Sequence, residues 1–152
     1  MDNKVGVKIT MVVKGLLLLI GSTLFFHALA ILYGAPLTES VAETFHFSLM
    51  LSATSILPPC VFLGLNLNSW VRVYAHNSAE LGPELVVYST TICSIIGAWL
   101  GAFPIPLDWD RPWQIWPVSC LLGTLFAYDF GMILSAILLY YRYHVTLKSK
   151  TF

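Results

Sequence analysis

Residues 15–34 read GLLLLIGSTLFFHALAILYG, a run with no formally charged side chain. The hydrocarbon core of a bilayer is about 30 Å thick, and a helix needs about 20 residues to cross it. This run is long enough to do so. Lys4, Lys8 and Lys14 precede it as basic residues precede a secretory signal, but it exceeds the usual signal core of about 7–15 residues and ends without a small-residue cleavage site. It reads as a retained membrane helix.

Outward from it, residues 45–65, 85–103 and 118–141 form three further runs of the same kind. None alternates with the period of two that marks a barrel strand. Backbone groups in lipid must be satisfied within the segment, so all four runs read as helices. The expected fold is all-α, a polytopic bundle of four transmembrane helices, with residues 1–152 forming a single membrane domain. The chain is 57% hydrophobic and 11% charged, against about 25% charged residues in a soluble domain, and its mean hydropathy is +0.77. Eight Lys and Arg balance eight Asp and Glu, so no global field draws the chain to nucleic acid or to an acidic substrate. Cys60, Cys93 and Cys120 all lie in apolar runs, where a thiol acts as a small hydrophobe. Pro58 and Pro59 remove two amide donors from the second run and predict a kink or break near Leu57.

Orientation follows from the basic residues. Lys4, Lys8, Lys14, Arg72, Arg142, Lys148 and Lys150 fall on one side of the membrane and only Arg111 on the other. The positive-inside rule makes the first side cytosolic, with both termini there. Lys148 and Lys150 stand fifth and third from the end, the pattern of a dilysine retrieval signal read on a cytosolic tail. Ordinary juxtamembrane charge accounts for the same lysines, but topology and address agree, and together they point to the endoplasmic reticulum membrane.

Residues 97–117 hold four of the five tryptophans and four of the eight prolines. Gly97 and Gly101 make a GxxxG that admits a close backbone neighbour. Trp109, Trp113 and Trp116 suit the headgroup level. The bland reading is a stiff hairpin with an aromatic belt; rigid aromatics beside one arginine also match an interaction surface. Asp108, Asp110 and Arg111 are the charged centre of the loop, where local Asp–Arg pairing is expected. Two carboxylates without a histidine fall short of the three or four ligands of a typical catalytic metal site. Glu43 and His46 form a single Glu-x-x-His, whereas di-metal bundles use two plus further carboxylates. No metal or cofactor is expected.

Asp129 falls near the middle of the fourth run, where an acid costs about 2.5–3.5 kcal/mol on insertion scales. His27, at similar depth in the first run, is a candidate partner. The alternatives are a protonated Asp facing the bundle interior or a contact with another subunit. No activated serine or cysteine, phosphate loop or nucleotide fingerprint is present.

The run at residues 97–120, GAWLGAFPIPLDWDRPWQIWPVSC, resembles the phosphatidylinositol-glycan biosynthesis class F family. The likeness extends upstream through Leu32-Tyr33-Gly34-Ala35-Pro36-Leu37, Glu43-Thr44-Phe45 and Leu63-Gly64-Leu65-Asn66-Leu67, and downstream to the end of the fourth run. What the resemblance implies is a non-catalytic membrane subunit that stabilises ethanolamine-phosphate transferases 2 and 3 in assembly of glycosylphosphatidylinositol (GPI) anchors. The implied partners are those catalytic subunits and membrane lipid, with no nucleic acid. Gly97, Gly101, Asp108, Trp109, Asp110, Arg111, Trp113 and Trp116 are the expected partner-binding residues. Members of that family are usually longer, with additional helices before the point where this chain begins. Asp129 stands where the family leads one to expect an apolar residue. The competing expectation is an intramembrane enzyme or lipid-handling protein using Asp129, His27 and the Asp108/Asp110 loop.

Overall fold

The computed structural model describes the backbone of residues 2–149 and the side chains of residues 6–145. Lys150 of the expected retrieval signal lies outside the described residues, as do the side chains of Lys4 and Lys148. Four helical segments are long and apolar enough to cross a membrane: Gly6–Leu32, Val41–Phe62, Pro83–Ala102 and Val118–Val145. No strand occurs among the described residues.

Helix α1 (Asp2–Leu32) runs unbroken through Lys8 and Lys14, so the helix itself begins before the apolar run at residue 15. It stops where Gly34 takes φ 104°, a left-handed backbone that only glycine adopts without strain. The second span divides into α2 (Val41–Ser55) and α3 (Leu57–Phe62), with the break where the prolines predict it. Pro59 has no N–H to give the Ser55 carbonyl four residues earlier. The Thr91 hydroxyl supplies that bond from a neighbouring helix, at 3.1 Å, and shares a second bond of 3.0 Å with the Tyr74 hydroxyl. The break is thereby sealed from outside the helix that contains it.

Two short elements follow, α4 (Leu67–Trp70) and a π-helical turn, Val71–Ala75. Asn66 caps α4 by accepting from the Asn68 amide at 3.1 Å. Arg72 then bridges to Glu84 and, at 3.2 Å, to Glu80, tying this connection to the first turn of α5 (Pro83–Ala102). The hydrogen bond to Glu84 is the main reason the guanidinium pKa is pushed above its ordinary value. Helix α6 (Val118–Ser149) completes the chain.

The tightest packing is between α5 and α6, with α1 against α2 and α2 against α5 next. Membrane helices gain little from burying apolar side chains against one another, because lipid is already apolar; small residues and local polar contacts hold them together. The interior follows that logic. Thr44, Ser48, Ser52, Ser55, Ser94 and Thr124 are fully buried, while Leu16, Leu17, Phe25, Phe126 and Ile133 face outward. Buried hydroxyls are mostly spent on carbonyls one turn back, as in Ser48 to Thr44 at 2.7 Å and Thr124 to Cys120 at 2.7 Å, which hides them without a partner helix.

Candidate functional site

Where α5 meets α6, the close approach begins with glycine. A Cβ at Gly97 would collide with the Ala127 side chain and the Gly123 carbonyl, and one at Gly101 would stand 2.5 Å from the Ser119 carbonyl. Gly123 in turn is pressed on Gly97 and Gly101. This revises one expectation: the GxxxG is filled by the chain's own last helix and offers a second protein no open groove.

The loop between these helices is ordered by Gln114, a residue the sequence did not single out. Its amide donates to the carbonyls of Pro104 at 2.7 Å and Leu107 at 2.8 Å, and its oxygen accepts from the Arg111 amide at 2.9 Å. One buried side chain thus satisfies three backbone groups in a proline-rich segment with few amides of its own. Trp116 fastens the loop to the second span. Its indole donates to the Thr44 hydroxyl at 3.0 Å, and its ring meets Phe47 edge-on at 5.3 Å.

The remaining loop residues turn outward. Asp108, Trp109, Asp110, Arg111 and Trp113 are all exposed, and Trp109 meets Trp113 edge to face with centroids 6.1 Å apart. Trp99 and Phe103, near the end of α5, are exposed as well. The expected Asp–Arg pairing is absent, since no ion pair joins Asp108 or Asp110 to Arg111. Asp110 adopts a left-handed φ of 50° and the Arg111 amide is committed to Gln114, so the turn is set by backbone contacts and the charges stay in solvent. Of the eight expected partner-binding residues, five therefore form an open surface. Gly97, Gly101 and Trp116 build the support beneath it.

His27 and Asp129 are not brought together. The His27 ring faces Phe45 at 6.3 Å and its Nδ1 is buried without a hydrogen-bond partner. Asp129 is exposed on α6, and no ion pair joins the two. Helix α1 packs on α2 rather than α6, which separates them. His46 directs its Nδ1 to the Ala42 carbonyl at 2.7 Å. Among the described residues no group of three or more His, Cys, Asp or Glu side chains converges.

Comparison with known proteins gives a consistent outcome. The family described as "GPI biosynthesis protein family Pig-F" matches residues 2–136. The chain is 45% identical to a Mus musculus protein named "GPI ethanolamine phosphate transferase, stabilizing subunit" over 135 residues, covering 89% of this chain and 62% of the mouse protein. A Homo sapiens protein of the same name is 44% identical over the same shares of the two chains. A Yarrowia lipolytica "Glycosylphosphatidylinositol anchor biosynthesis protein 11" is 38% identical, over 88% of this chain and 60% of that protein. The chain thus spans somewhat under two thirds of the length of these relatives. No solved structure matches it. With nearly the whole described chain inside the matched region, it belongs to the GPI biosynthesis protein family Pig-F.

Proposed function

We propose that this chain is a non-catalytic subunit of the endoplasmic-reticulum ethanolamine-phosphate transferases of GPI-anchor assembly, the second and third, and that it works by binding and stabilising the catalytic subunits. The observation that carries this reading is the likeness to the mouse and human proteins named as stabilising subunits. The arrangement of the hairpin supports it. Gln114, Trp116 and the glycine contact hold the backbone from within, so Trp109, Trp113 and Arg111 are offered outward from a loop with little backbone entropy left to lose on binding. Large rigid aromatics and arginine are the residue types that carry most binding energy where proteins meet.

The distribution of basic residues supports an orientation with the 104–117 loop lumenal and both ends cytosolic. In that orientation Lys148 and Lys150 are available as a retrieval address, and the hairpin lies on the side where the lipid-linked glycan is modified. The catalytic groups come from the partner.

Affinity purification of the tagged chain from mild detergent tests the proposal. A large transferase subunit should be recovered in stoichiometric amount, and Arg111→Ala combined with Trp113→Ala should lower that amount severalfold. Recovery of the chain alone, carrying transferase activity by itself, would overturn the reading.

A further inference from the structure

The register between α5 and α6 places Asp129 both at mid-depth and on the far side of its helix. A Cβ at Gly97 would meet Ala127, and one at Gly131 would lie 2.9 Å from the Ser89 carbonyl and 3.0 Å from Thr90 Cα. The α6 residues two before and two after Asp129 are therefore those pressed on α5. At 3.6 residues per turn, a position two residues from each points to the opposite side, about 160° away. These contacts fall at Ser89 to Gly97, around the centre of Pro83–Ala102.

Around Asp129 on this outer face lie Leu122, Leu125, Phe126 and Ile133, all exposed. They stand one or two helical turns from it, on the same stripe. No hydrogen bond or ion pair from any described residue reaches its carboxyl. The side chain is too short to find the headgroups, since at 1.5 Å per residue it stands about 16 Å along the helix from Val118. An acid set in an apolar outward face at this depth, with no partner in its own chain, calls for a complement from outside the chain.

We infer that this face of α6, centred on Asp129, is the docking surface for a transmembrane helix of the catalytic partner, and that the partner helix presents a lysine or arginine opposite the carboxyl. A second copy of this chain does not fit that description. Lys8 and Lys14 fall in the first half of α1 and Arg142 near the end of the fourth span, and His27, the basic side chain at similar depth, has its ring against Phe45 and its Nδ1 buried inside its own chain. A lipid headgroup does not fit either, because its charge stays at the surface. The inference rests on the stabilising-subunit reading and adds a second contact, within the membrane, to the lumenal hairpin.

The test compares wild type, Asp129→Glu and Asp129→Leu, each expressed as the tagged full chain in cells lacking their own subunit and purified in mild detergent. The leucine variant should bring down about tenfold less transferase per tagged chain, and the glutamate variant should retain most of it. Because the position faces outward, the leucine chain should accumulate and melt like wild type, which separates lost docking from lost folding. A photo-crosslinking residue in place of Ile133 should capture the transferase polypeptide. Undiminished recovery with Asp129→Leu, or crosslinks only to lipid or to a second copy of this chain, would overturn the inference alone. Failure of the wild-type chain to recover any transferase would overturn the stabilising-subunit reading along with it.

Discussion

At Gly97 one added methyl group would run into Ala127 and the Gly123 carbonyl, while at Gly21 it would meet nothing within 4 Å. The same substitution should therefore act in opposite directions at the two sites. Gly97→Ala forces the α5–α6 pair apart and should cost about 1–3 kcal/mol, the range for overpacking. Gly21→Ala should be neutral or mildly favourable, since alanine is the better helix former. Melting of the purified chain in detergent reads both, and equal effects at the two glycines would contradict the packing described. The GxxxG spacing shows in the sequence, but what fills it does not: Ser119, Gly123 and Ala127 lie on another helix, and no spacing rule links them to Gly97. Gln114 was missed for a related reason. A lone glutamine among tryptophans and prolines carries no motif, and its role arises from three backbone groups that only the folded loop brings within reach.

The helices themselves were legible because membrane length and backbone satisfaction act within a single segment. The break of the second span was legible too, since each proline removes a donor whatever surrounds it. The sealing of that break by Thr91 was not, because the bond crosses between helices 36 residues apart in sequence. The same limit explains the two pairings that failed, Asp129 with His27 and Asp108 or Asp110 with Arg111. Depth and proximity along the chain were readable, but not which face of a helix turns inward, nor how the backbone of the hairpin turn directs its side chains. The hairpin element carries a topological prediction. A glycosylation acceptor inserted in the 104–117 loop should be modified and one fused to the C-terminal tail should not. The reverse pattern, seen as a gel shift removed by glycosidase, would place the hairpin on the wrong side for the proposed contact.

In the whole molecule, the apolar interior is thin and the outer surface broad and aliphatic, as a protein dissolved in lipid requires. Two features stand out from that surface, the aromatic hairpin tip at one end and the lone acid Asp129 on the outer face of α6 at mid-depth. Both are suited to holding another membrane protein, one through rigid aromatics and the other through a carboxyl without a partner in this chain. Transfer of phosphoethanolamine calls for an activated nucleophile and strong stabilisation of developing charge, and under the proposed function both come from the catalytic subunit. Loss of this chain's contacts should thus change how much transferase exists without changing how well each molecule works. Specific activity per recovered transferase, measured across the Arg111 and Trp113 variants, tests that division most directly. A constant value is expected while recovered transferase falls severalfold; a falling value at unchanged complex abundance would contradict this division and assign this chain a direct part in the chemistry.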